Sequence, residues 1–163
     1  MQLGLSLCMI ILSLIFYLAL IEIAVSSGIQ SECDGTAACF RGNVTKIVDG
    51  DTLDVNGIRI RLSLVNAPEI GQEHYTEAKR LVELLCPIGN PALVDQDDGQ
   101  REGSYGRMIG EVHCNYYDHY NENNNNSSNL AEQLLKSGFA VILTKHCNDS
   151  EFANKTWAKE FGC

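Results

Sequence analysis

The sequence predicts an α+β domain, a five-stranded antiparallel β-barrel carrying two or three helices. Three observations predict it. Short runs with alternating apolar residues follow one another through the first half of the chain, separated by turn signals. The pair Asn56-Gly57 is a two-residue hairpin signal between two such runs. Two later segments carry apolar residues at helical spacing.

The chain opens on a different kind of segment. No charged residue occurs from Leu3 to Ile21; Glu22 interrupts the run, and Ile23 to Val25 resume it. Such a run is longer than the usual core of a signal peptide and just long enough to cross a bilayer. No Lys or Arg precedes it, and Ala24-Val25-Ser26 offers small residues of the kind a signal peptidase reads. Residues 1–27 are therefore expected to be either a signal peptide or an N-terminal transmembrane anchor. Residues 28–40 read as a linker with a small Cys33/Cys39 loop, and the folded domain is expected over 41–163.

Asn43 to Val48 reads as a strand and Asp49-Gly50-Asp51 as a turn. Thr52 to Val55 and Ile58 to Val65 read as strands on either side of the hairpin. In the second, Ile58, Ile60, Leu62 and Leu64 share one face, and Arg59, Arg61 and Ser63 the other. The apolar face should line the core, so Arg61 should point across the sheet. Asn66-Ala67-Pro68-Glu69 ends the strand, because proline leaves regular pairing. A helix follows from about His74 to Leu85, with Tyr75, Ala78, Val82 and Leu85 as its apolar stripe. Ala92 to Asp95 reads as a strand, Asp97 to Gly106 as a polar loop, and Met108 to Tyr116 as a strand. The Asn-rich stretch 121–128 reads as a solvated loop. Asn129 can cap the next helix, with Glu132 completing a capping box and Gly138 ending it. Phe139 to Leu143 reads as a last strand and Glu151 to Phe161 as a terminal helix. A barrel of the OB type fits this count and size.

Beyond Cys8, six cysteines remain: Cys33, Cys39, Cys86, Cys114, Cys147 and Cys163. An even count behind an export signal reads as disulfides, with 15 possible pairings. Proximity favours Cys33–Cys39 and Cys147–Cys163, leaving Cys86–Cys114. His113-Cys114 and His146-Cys147 lack the spacing that aims two ligands at one zinc ion. Asn-x-Ser/Thr triplets start at Asn43, Asn125, Asn126, Asn148 and Asn154, compatible with export. The net charge of −9 argues against a broad basic groove for nucleic acid. It leaves room for an enzyme in which a few arginines and a metal ion handle one phosphate. His74 and His113 read as surface or half-buried structural histidines.

Three segments carry chemistry together: the Asp49-Gly50-Asp51 turn, the stretch from Arg61 to Glu69, and Tyr105-Gly106-Arg107. In that order and spacing the chain resembles the staphylococcal nuclease family. The matching stretches are IVDGDTLDV (47–55), IRLSLVNAPE (60–69), GQREGSYGRMIGEV (99–112) and NLAEQLLKSGFAVI (129–142). The resemblance implies an OB barrel and calcium-dependent hydrolysis of phosphodiester bonds in DNA and/or RNA, with the domain outside the cytoplasm. It implies Arg61, Glu69 and Arg107 as catalytic residues. Asp51, Asn66 and the Ala67 carbonyl would be metal ligands, and Tyr105 a substrate contact. Arginine suits phosphate because its fork makes paired hydrogen bonds and stays charged. Asn66 stands where the family has an aspartate, Glu102-Gly103-Ser104 lacks the basic residue found there in the archetype, and Thr144 falls roughly at a tyrosine position. A monomer is expected, reaching a membrane through the N-terminal segment if that is uncleaved. The rival reading is a catalytically silent OB-type module that binds nucleic acid or protein.

Overall fold

Hairpins set the architecture. The computed structural model describes residues 33–116 and 126–163, and the compact unit runs from Cys33 to Cys163. β1 (Cys39–Ile47), β2 (Thr52–Val55) and β3 (Ile58–Leu62) form a meander. Asn56 (φ 51) and Gly57 (φ 79) both take positive φ, as the two-residue turn between β2 and β3 requires. β5 (Pro91–Gln96) pairs antiparallel with β1, and β6 (Met108–Tyr116) pairs antiparallel with β5. A parallel pairing of β3 with β6 closes the barrel, setting Arg61 opposite Ile109. The five-stranded OB-type barrel is thus present, with four antiparallel contacts and one parallel closure. Closure removes the sheet edges that would otherwise stay unpaired. β7 (Asn126–Asn129) extends the sheet beyond β6, so the end of the Asn-rich stretch is strand.

Ile60, Leu62, Val94 and Val112 line the interior, each at most 2% exposed. Two details depart from simple alternation in β3. Ile58 sits at the hairpin end and is 42% exposed. Ser63 turns inward because its hydroxyl donates to Asp97 Oδ2 at 2.7 Å. Leu64 then takes φ 62, which breaks the strand before β4 (Val65–Asn66). β4 pairs with β8 (Val141–Ile142) as a separate two-stranded ribbon.

Helix α1 (Tyr75–Leu85) buries Ala78 and Val82 against the barrel. The Asp49–Asp51 turn lies directly beneath it. A Cβ at Gly50 would stand 2.7 Å from the Cβ atoms of both Ala67 and Ala78, so only glycine fits there. Helix α2 (Leu130–Lys136) is capped by Asn129, whose side chain accepts from the N–H groups of Ala131 and Glu132. Glu132 does not close the expected box; its carboxylate takes Lys136 at 2.6 Å. The expected terminal helix is split into a 3-10 turn at Glu151–Asn154 and α3 (Thr156–Glu160). Lys155 between them is extended (φ −66, ψ 150). Its ammonium reaches Asp34 at 2.7 Å and Glu111 at 3.0 Å.

The disulfides are Cys33–Cys39, Cys86–Cys114 and Cys147–Cys163, with Cα separations of 6.0, 5.4 and 5.4 Å. All six thiols outside the N-terminal run are therefore committed, which suits an oxidising compartment.

The transmembrane expectation is corrected. Among the described residues no helix is long and apolar enough to cross a membrane. The stretch 1–27 on which that expectation rested lies outside the described residues, as does most of the Asn-rich loop (117–125).

Candidate active site

The site grows from the end of the meander. Backbone pairing of β2 with β3 sets Thr52 opposite Arg61. Leu62 N–H donates to the Asp51 carbonyl at 2.9 Å, so the acidic turn is tied to the arginine strand. Asp49 folds that turn by accepting from Asp51 N–H at 3.0 Å through Oδ1.

Arg61 lies at the centre. Its Nη2 is 3.1 Å from Asp51 Oδ2 and donates to Asn66 Oδ1 at 3.2 Å. Its Nη1 donates to the carbonyls of Val65 at 2.7 Å and Leu62 at 3.2 Å. The guanidinium is thereby fixed by four groups: Asp51 on the acidic turn, the Leu62 carbonyl at the end of its own strand, and Val65 and Asn66 beyond it. Asp51 is 5% exposed and well satisfied. Its Oδ2 also accepts from Ala67 N–H at 2.7 Å, and its Oδ1 accepts from Thr52 Oγ1 at 3.1 Å. Burial raises the Asp51 pKa, and the Arg61 charge and Ala67 N–H oppose that rise. Burial lowers the Arg61 pKa, against the pull of Asp51; the Arg107 charge lowers it further, while Glu69 raises it.

Arg107 enters from the neighbouring edge. Its Nη1 donates to Thr52 Oγ1 at 3.4 Å and its Nε to the Ser104 carbonyl at 3.0 Å. Thr52 thus bridges Asp51 and Arg107, a role its sequence position inside the acidic turn did not announce. Tyr105 projects from the 3-10 turn Ser104–Gly106 with φ 64 and is 97% exposed. Its ring centroid lies 5.9 Å from the Arg107 guanidinium carbon. Glu69 is exposed on the loop after Pro68, and its N–H donates to Gln72 Oε1 at 2.7 Å.

Asp51, Arg61, Asn66 and Ala67 are therefore in direct contact, Arg107 joins through Thr52, and Glu69 is coupled to Arg61 by charge. Tyr105 is attached only through Arg107. A cavity of about 140 Å³ opens beside the two arginines, walled by Leu62, Ile109, Leu143 and His146.

Behind the site stands a buried carboxylate that sequence reading passed over. Asp97 is fully buried. Its Oδ2 accepts from Ser63 at 2.7 Å and from Ser150 at 2.5 Å; its Oδ1 accepts from the N–H groups of Gly99, Gln100 and Glu151. It ties β3, the loop leading to Arg107 and the C-terminal segment together. Its two hydroxyl partners lie 34 and 53 residues away, so no local spacing signals them.

Metal-ligand chemistry is modest here. Among the described residues no group of three or more His, Cys, Asp or Glu side chains is placed to hold an ion. The oxygens on offer are the Asp51 carboxylate, the Asn66 amide oxygen and the Ala67 carbonyl. All are hard donors of the kind calcium takes.

A barrel of OB type whose closing strands bring two arginines beside an acidic turn defines the class of fold and site. The model of the staphylococcal nuclease homologues matches residues 59–160 of this chain. The chain belongs to the staphylococcal nuclease family. A micrococcal nuclease from Shigella flexneri is 39% identical over 82 residues, 47% of this chain and 44% of that protein. The protein ParB of Escherichia coli is 36% identical over 80 residues, 47% and 43% of the two chains. An uncharacterised protein of Methanocaldococcus jannaschii is 30% identical over 142 residues, 71% of this chain and 65% of that one. The chain spans less than half the length of the first two relatives.

Proposed function

We propose that this protein is a calcium-dependent nuclease that hydrolyses phosphodiester bonds of DNA and/or RNA outside the cytoplasm. The observation that carries the reading is the joining of Arg61 and Arg107 through Asp51 and Thr52, with Glu69 exposed beside them. Export is inferred from the N-terminal apolar run and the disulfides.

Phosphodiester hydrolysis adds a water oxygen to phosphorus and expels an alkoxide through a strongly negative transition state. The two arginines place positive charge where that negative charge builds up. Arg61 is held by Asp51, Asn66 and the Leu62 and Val65 carbonyls, and a phosphate bound at its Nη groups exchanges some of these contacts for phosphate oxygens. Glu69 takes the proton of the attacking water or orients it, and the departing alkoxide takes a proton from solvent. Asp51, Asn66 and the Ala67 carbonyl would hold the calcium ion. When bound, it supplies positive charge against the phosphate oxygens. Asn66 carries no charge, so the ligand set leans on Asp51 and binding is weaker than with two carboxylates. Tyr105 packs against the nucleotide next to Arg107.

A plasmid-nicking assay tests the reading. Calcium-dependent nicking, abolished by chelator and by Glu69→Ala, is expected. Undiminished cleavage by Glu69→Ala would remove the site assignment. The rival, binding without cleavage, has one observation in its favour: Asp51 is already satisfied by Arg61, Thr52 and Ala67. Plasmid retained but never nicked in calcium would favour it.

A further inference from the structure

A second cavity lies on the other side of the Arg61–Asn66 contact. It encloses about 220 Å³ and is lined by Asn66, Pro68, Gln72, Phe139 and Val141. It shares no wall residue with the cavity beside the arginines. Arg61 lines the first and Asn66 the second, and Arg61 Nη2 donates to Asn66 Oδ1 at 3.2 Å. We propose that this second cavity is a subsite for the base of the nucleotide on the far side of the scissile phosphate. The inference rests on the nuclease reading above and extends it to how substrate is held.

Three features point to a base. Beside the polar Asn66 and Gln72 the walls are apolar with an aromatic member: Phe139 lies half-buried, its ring 5.7 Å from that of His74. A partly exposed aromatic ring can stack on a base. The chain has a net charge of −9, so attraction of the polymer backbone cannot carry affinity. Second, apolar side chains remain exposed at this place. Val141 is 63% exposed and lines the cavity, and Ile70 is 82% exposed on the loop that Pro68 and Glu69 begin. Val141 thus offers apolar surface that a base could cover. Third, the cavity is built into the site. Gln72, one of its walls, accepts the Glu69 N–H, and the β4–β8 pairing sets Asn66 opposite Val141. A phosphate held at the Arg61–Asn66 pair would have both cavities as neighbours, one lined by Arg61 and the other by Asn66. A phosphodiester has one nucleoside on each side.

The full chain is tested on single-stranded oligonucleotides with one cleavable linkage, all other linkages being methylphosphonates. One substrate carries every base; two others lack the base immediately 5′ or immediately 3′ of that linkage. With the unaltered protein, each missing base is expected to raise KM about tenfold. In Phe139→Leu and in Val141→Ser the penalty is expected to collapse to about threefold or less on one side only, the same side in both. Val141 is exposed, so its variant keeps the fold even if Phe139→Leu does not. Penalties that persist on both sides in Val141→Ser, or no dependence on either base, would overturn the inference while leaving the nuclease reading intact. Absence of cleavage of every substrate overturns the nuclease reading and this inference with it.

Discussion

Removing the Arg61 guanidinium would strand Asp51. The carboxylate is 5% exposed, and that arginine and the Ala67 N–H oppose the rise in its pKa that burial causes. Arg61→Ala should therefore lose activity by a factor of at least about a hundred and also cost about 2–3 kcal/mol of stability. Nicking rates and urea unfolding measure the two losses separately. Glu69 is the contrasting case. It is exposed and among the described residues its carboxylate has no hydrogen-bonded partner, so Glu69→Ala should reduce nicking about a hundredfold with the unfolding midpoint unchanged. If both variants lost stability equally, Glu69 would be part of the scaffold rather than of the chemistry. The pair of results thus separates a positioned cation from a working carboxylate.

At the scale of elements, the caps and seams hold the parts that present the site. Asn129 begins α2 and also donates to Glu111 Oε1 at 2.6 Å. Asn129→Ala should cost about 2 kcal/mol, read from urea unfolding, because it loses both the cap and a buried bond. Glu111 is the seam between β6, α2 and the C-terminal segment. It is 1% exposed and receives four donors: Asn129 and Trp157 at Oε1, His113 and Lys155 at Oε2. Burial alone would raise its pKa, but the His113 hydrogen bond and the Lys155 charge outweigh it, and the net shift is downward. A carboxylate lowered in the fold contributes stability above its unfolded pKa and loses it as pH falls through the folded value. Glu111→Gln should therefore cost about 2–4 kcal/mol at neutral pH. Its difference from the unaltered protein should shrink as thermal melts are moved into the acid range below the ordinary glutamate pKa.

Across the whole molecule, covalent staples and charge set the working conditions. Cys86–Cys114 joins the end of α1 to β6 across 28 residues. Closing a loop of that length stabilises by about 3–4 kcal/mol in the chain-entropy account. The double variant Cys86→Ala/Cys114→Ala should lose about that much in denaturant unfolding, with nicking unchanged at temperatures where it stays folded. The net charge of −9 acts at the same scale. Polymer binding should be weak, and its fall with added salt shallow, since few phosphates are neutralised.

The sequence by itself determined the parts that are local or periodic. The Asn56-Gly57 hairpin, the α1 stripe, the Asn129 cap and the Cys33–Cys39 loop all follow from spacings of a few residues, where turn and helix geometry leave few choices. The ordered trio of Asp51, Arg61–Glu69 and Tyr105–Arg107 reads as one site through its resemblance to the staphylococcal nuclease family, since each segment alone is a common turn or solvated charge. Tertiary structure decided the rest. Only the parallel closure of β3 on β6 brings Arg107 beside Arg61, and only it makes Thr52 the link between them. Ser63 faces inward against its alternation because Asp97 waits 34 residues away. The terminal helix breaks at Lys155, whose ammonium reaches Glu111, 44 residues back. Such partners meet at distances in the chain that no periodicity encodes; they are set by how the strands close, and the closure is a property of the whole barrel.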